Sequence, residues 1–146
     1  MQKKFKLQKV LDYRALTLER EKAKLAELAA QERLIIVEVQ RITEQIRQKL
    51  QEMADIQASG DFAMMQMYEK YITRLGTERR AALQQLAEHR QLVQKQKAQT
   101  TEAYKGKSIM DKLESRHKKA YAAFVETQEQ KMLEDIVTTR LASVKE

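Results

Sequence analysis

Apolar residues recur along the chain in alternating steps of four and three, the spacing that holds one stripe on one face of a helix. From Leu7 the steps pass through Leu11, Leu18, Leu25, Leu28, Ile35, Val39, Ile42, Ile46, Met53 and Ile56, with polar interruptions at Arg14, Glu21, Glu32 and Lys49. A second series starts at Met65 and passes through Tyr68, Ile72, Leu75, Ala82, Leu86, Val93, Ala103, Met110, Tyr121 and Phe124. It is the weaker of the two, because Arg79, His89, Gln96, Thr100, Lys107, Glu114 and His117 also fall on it. Between Gln94 and Thr101 the run Gln-Lys-Gln-Lys-Ala-Gln-Thr-Thr has almost nothing to bury, which predicts loose local packing.

Two helices follow from this spacing, and glycine marks where they meet. The chain has no proline, so nothing removes a backbone donor or clashes with the preceding turn over its whole length. Gly60, in Ala58-Ser59-Gly60-Asp61, can take the left-handed conformation that ends a helix, and Asp61 can cap the next one. The pattern predicts a single domain spanning 1–146: helix one over about 5–58, a turn at 59–61, and helix two over about 62–140. Gly76 and Gly106, alone in periodic stretches, read as weak points worth about 1 kcal/mol each against alanine.

A short connection folds two long helices back as an antiparallel hairpin, so the expected fold class is all-α, a two-helix coiled coil with an extended C-terminal helix. With the turn at 60, position i faces roughly 120 minus i, which sets Lys3 near His117 and Lys9 near Asp111. At 1.5 Å per residue the first helix spans roughly 80 Å and the second roughly 120 Å. Residues beyond about 116 therefore have no partner in the chain. Yet they carry Tyr121, Phe124, Val125, Met132, Leu133, Ile136 and Leu141 near helical spacing, an apolar stripe that calls for burial by something else.

Composition narrows the function classes. The 146 residues contain no cysteine, so disulfide frameworks and thiolate metal sites are excluded and a reducing, cytoplasmic setting is expected. The start, Met1-Gln2-Lys3-Lys4-Phe5-Lys6, leads into no apolar run, and no stretch approaches the roughly 20 apolar residues of a bilayer crossing, so neither a signal peptide nor an integral membrane span is expected. The net charge of +7 is concentrated: Lys3, Lys4, Lys6 and Lys9 give +4 over residues 1–10, and 105–119 carry six bases against Asp111 and Glu114, another +4. The remainder of the chain is close to neutral. Paired by the hairpin, the two blocks make one electropositive end, fit either for solvation or for docking an acidic partner.

Catalytic chemistry is not legible. Thr101-Glu102-Ala103-Tyr104-Lys105-Gly106-Lys107-Ser108 ends like a phosphate-binding loop, but the first required glycine is Thr101 and a helical pattern, not a strand, precedes it. His89 and His117 lie 28 residues apart on the seam with no ligand set around them, so no metal or other cofactor is expected. Two paired helices offer no cavity to dehydrate a carboxylate, and no enzyme is expected. Phosphates would attract the lysine blocks, but only Phe5 and Tyr104 stand within or beside them as stacking platforms, which disfavours nucleic acid as the partner.

Three segments resemble the FliJ family of flagellar type III export proteins: Phe5-Lys6-Leu7-Gln8-Lys9-Val10-Leu11 with Arg14, Tyr68-Glu69-Lys70-Tyr71-Ile72-Thr73-Arg74-Leu75, and Glu129-Gln130-Lys131-Met132-Leu133-Glu134-Asp135. The likeness runs nearly end to end. It implies a non-enzymatic component of the export apparatus, cytoplasmic and peripherally associated with the inner membrane, shaped like the central stalk of a rotary ATPase. The implied partners are the export ATPase ring (FliI-like), whose assembly and activity the stalk promotes, the export gate protein (FlhA-like), and export chaperones. Carried onto this chain, the ring-binding end comprises Phe5, Leu7, Lys9 and Leu11 with Phe124, Met132, Leu133 and Ile136, and the gate contact comprises Tyr71 and Leu75. Tyr71 falls off the seam and is expected to be exposed. The equivalent stalk of a virulence secretion system and a basic coiled-coil module for nucleic acid are the alternative readings.

Overall fold

The computed structural model describes residues 1–145, in two helices: α1 (Gln8–Ser59) and α2 (Phe62–Lys145). They pack against each other as an all-α hairpin, with no strand among the described residues. Only Gly60 and Asp61 separate them. Gly60 has φ of +80°, the left-handed geometry an L side chain avoids, and its N–H donates to the carbonyl of Ile56 at 3.2 Å. Asp61 Oδ1 then accepts from the N–H of Met64 at 3.1 Å, satisfying a free donor at the start of α2.

The first helix begins at Gln8 rather than at 5. Residues 5–7 form a turn instead, closed by Gln8 N–H donating to the Phe5 carbonyl at 3.1 Å. The cause is electrostatic: Lys3, Lys4 and Lys6 crowd the positive end of the helix dipole, and the first turn of α1 holds no acid to offset them. At the other end, α2 runs on to Lys145, past the expected limit near 140.

The hairpin divides into two compact units. One is Glu21–Thr100; the other combines Met1–Arg20 with α2 from Thr101 onward. In the Glu21–Thr100 unit the core is Ile42, Leu75, Ala82, Leu86 and Val93, each 8% exposed or less and each a seam position. Tyr68 faces Glu52, Arg79 faces Thr43 and His89 faces Leu28, all within three residues of the pairing that a turn at 60 dictates. Among the described residues no side chain is below 2% exposed, because two helices alone cannot close around one.

Local looseness between 94 and 101 is not what the structure contains. Gln96 is 7% exposed, and its Nε2 donates to the backbone carbonyl of Glu21 at 3.2 Å and to the Glu21 carboxylate; Thr100 Oγ1 donates to the Gln96 carbonyl at 2.9 Å. With His89 Nε2–H donating to the Leu28 carbonyl at 2.7 Å, these make hydrogen-bonded polar layers in an otherwise apolar seam. Such layers contribute less to stability than leucine would, but they match only one register, since any slip leaves a buried polar group without its partner.

In the unit built from 1–20 and 101 onward, Leu11 and Leu18 are buried and Arg14 lies across Gly106. A Cβ at 106 would sit 3.1 Å from Arg14 Nη1, so a larger residue there would make the Arg14 side chain give by a few tenths of an ångström. His117 Nε2 donates to the Lys3 carbonyl at 3.2 Å, which is the expected pairing, while Asp111 takes Lys107 as its ion-pair partner rather than Lys9.

Candidate functional site

Near the turn, Lys49 of α1 projects from a seam position toward α2, where Tyr68 and Tyr71 meet it. Its ammonium lies 5.9 Å from the Tyr68 ring centre and 5.7 Å from that of Tyr71, and pairs with Glu52 at 3.1 Å. Met64 and Met67, both exposed, complete an open depression with these residues. A cation held over two aromatic faces, rimmed by flexible thioethers, suits an adaptable protein contact better than chemistry on a small molecule.

Tyr68 hydroxyl donates to Glu52 Oε2 at 2.9 Å. That hydrogen bond, with a second from Lys49, holds the Glu52 carboxyl below its ordinary value of 4.5; Glu52 in turn raises the Lys49 ammonium and the Tyr68 phenol. A carboxyl lowered by folding adds stability that is fully present above its unfolded pKa and disappears as pH falls through the folded one. Thermal midpoints measured by circular dichroism from pH 6 down to pH 3 are therefore expected to fall more for the unaltered chain than for Tyr68→Phe. Equal slopes would show that the bridge does not form in solution.

Of the two residues expected to share a surface here, the structure exposes one. Tyr71 is 37% exposed, whereas Leu75 is 3% exposed and packs in the core beneath it. Leu75 cannot offer its side chain to a partner while the hairpin is closed; its role is to hold this part of α2 in place. Lys49, Tyr68, Met64 and Met67 were not among the expected site residues. One signal was available, since Lys49 and Tyr68 both occupy seam positions that the 120-minus-i rule sets within three residues of each other.

At the other candidate site, Phe5 stacks obliquely on His117 with ring centres 5.6 Å apart, which fixes residues 3–5 on α2. Leu7 is 40% exposed and Lys9 is exposed, but Leu11 is 8% exposed and belongs to the seam. Tyr121, Phe124 and Val125 are half-buried. From Glu126 to Val144 every residue is exposed, including Met132, Leu133, Ile136, Val137 and Leu141. The residues assigned to the ring-binding end thus separate into an open group (Leu7, Lys9, Met132, Leu133, Ile136), a half-buried pair (Phe5, Phe124) and a buried support, Leu11.

Among the described residues no group of three or more His, Cys, Asp or Glu is arranged to hold a metal ion, and no helix is long and apolar enough to cross a membrane. The family model described as "FliJ: Flagellar FliJ protein" matches residues 2–146. No curated protein and no solved structure matches the chain.

Proposed function

The chain belongs to the FliJ family of flagellar proteins, non-catalytic components of type III export, and from that membership we propose that it acts as a stalk that binds the export ATPase ring (FliI-like) and promotes its assembly and activity. The supporting observation is the exposed apolar stretch from Met132 to Leu141. Fully burying a Leu, Ile or Met side chain contributes about 1.5–3 kcal/mol, while association costs on the order of 4–15 kcal/mol. No single residue of this stripe could carry the contact, so Met132, Leu133 and Ile136 have to be buried together, with Phe5, Leu7 and Phe124 alongside and Lys9 supplying charge. Leu11 supports these residues from the seam.

The same reading gives Tyr71, with the Lys49 and methionine surroundings described above, to the export gate protein (FlhA-like), Leu75 acting from beneath. Export chaperones are further partners along the coiled coil, and the protein works in the cytoplasm, held peripherally at the inner-membrane export apparatus by these contacts. The experiment is a turnover measurement: purified export ATPase is expected to hydrolyse ATP several-fold faster when this chain is added in stoichiometric amount. Unchanged turnover across a tenfold range of added chain would refute the stalk reading.

A further inference from the structure

Beyond the seam, α2 carries a third pattern that shares Leu133 with the ring-binding stripe and otherwise uses residues to which the export reading assigns no contact. Counting in steps of four and three from Lys105 gives Ile109, Lys112, Arg116 and Lys119, all exposed, with Ile109 at 58%. These residues lie on one face of the helix. Lys105 pairs with Glu102 at 3.5 Å, but none of Lys112, Arg116 and Lys119 forms an ion pair with a described residue. The acids nearby are engaged elsewhere: Asp111 with Lys107 and Glu114 with Lys118.

The same steps continue through Ala123, Glu126 and Gln130 to Leu133, Val137, Arg140 and Val144, again all exposed. Glu126 is the one acid the count meets. Val137 is 55% exposed and Val144 83%. One helix face thus presents Lys112, Arg116 and Lys119 without ion pairs over its first half; because a straight helix drifts about 20° per heptad from this count, the aliphatic residues and Arg140 of the second half lie to one side of those cations, with Glu126 and Glu129 beside them. Asp135, Thr138 and Ala142 fall on the opposite side, by helical spacing.

We propose that this face of α2 docks flat on an anionic phospholipid bilayer. Lys112, Arg116 and Lys119 would engage headgroup phosphates, while Leu133, Val137 and Val144 sink to the acyl boundary and Arg140 reaches back to the headgroups. Charge complementarity selects the lipid: a surface bearing net negative charge attracts each such cation, whereas aliphatic wedges alone bind weakly. Nucleic acid would be served by aromatic platforms, and on this face the residues between the cations are Ile109 and Ala123. The proposal does not rest on the ring contact, although Leu133 belongs to both surfaces and could serve only one at a time.

The test is sedimentation of the full chain with vesicles of phosphatidylglycerol and phosphatidylcholine, against vesicles of phosphatidylcholine alone. Binding is expected to the first only, and to weaken as salt rises from 50 to 500 mM. The triple variant Lys112→Gln, Arg116→Gln, Lys119→Gln is expected to bind about a hundredfold more weakly, and Leu133→Asn with Val137→Asn about tenfold more weakly. Both alter only exposed positions, and unchanged helical circular dichroism confirms folding. No binding, equal binding to both vesicle types, binding that survives the triple substitution, or tighter capture of a duplex DNA than of the anionic vesicles would each overturn the proposal. No ATPase is present, so either result leaves the turnover measurement untouched.

Discussion

Replacing Leu75 with aspartate is expected to lower the thermal midpoint by about 12 °C or more, while Tyr71→Ala, four residues away, moves it by about 2 °C or less. The difference lies in what each side chain touches. Leu75 is 3% exposed in the core of the Glu21–Thr100 unit, so a carboxylate there loses most of its hydration, and the leucine's packing is lost as well. The combined cost is about 3–5 kcal/mol, a large share of what a unit of this size possesses. Tyr71 is 37% exposed and gives up mainly its contact with Lys49. Melting curves of the two variants followed at 222 nm separate support from surface. If Leu75→Asp melted with the unaltered chain, the seam would not be packed as described.

Removing residues 126–146 is expected to have the reverse signature: stability unchanged within about 1 kcal/mol, with stimulation of the export ATPase abolished. Each residue from Glu126 to Val144 is exposed, so removing them deletes no buried core residue. Yet Met132, Leu133 and Ile136, which the proposed ring contact requires to be buried together, lie in this segment. The measurement pairs a melting curve with ATPase turnover on one truncated protein. A truncated chain that still stimulated fully would move the ring contact to the 1–20 and 101–125 part of the molecule.

The hairpin was readable because a two-helix pairing imposes one simple period. Leu18, Ile42, Leu86 and Val93 are buried where counting in fours and threes puts them, and Gly60 turns where its conformational freedom is needed. The count failed to mark where polar residues would be buried. Gln96 and Thr100 look like an absence of core when only hydrophobicity is weighed; they become a structural layer once Glu21, within three residues of the position that 120 minus i gives for Gln96 and within one for Thr100, is recognised as facing them. Hydrophobic periodicity records which positions face inward, whereas hydrogen-bond partnership depends on what stands opposite, which a single helix does not display.

The candidate sites were legible to different degrees for the same reason. Exposure of Met132, Leu133 and Ile136 follows from the difference in helix lengths, which is arithmetic on the turn position. The surroundings of Tyr71 do not, because they depend on how Lys49 bends between two rings and an acid. The family resemblance puts Leu75 in the same contact as Tyr71, but its seam position marks it as interior, where the structure buries it.

The two-residue turn at Gly60 and Asp61 also governs how the Glu21–Thr100 unit can assemble. Contacts beside the turn join residues 16 apart in sequence, such as Tyr68 and Glu52, whereas Gln96 and Glu21 are 75 apart. Each doubling of loop length adds only about 0.6 kcal/mol to closure, but a loop already closed by its neighbour adds almost nothing. Zippering outward from the tip therefore replaces one long search by many short ones. The polar layer at Glu21 is met late on that route, where it acts as a checkpoint: strands of helix that started one step out of phase reach it unable to close, and can still unzip.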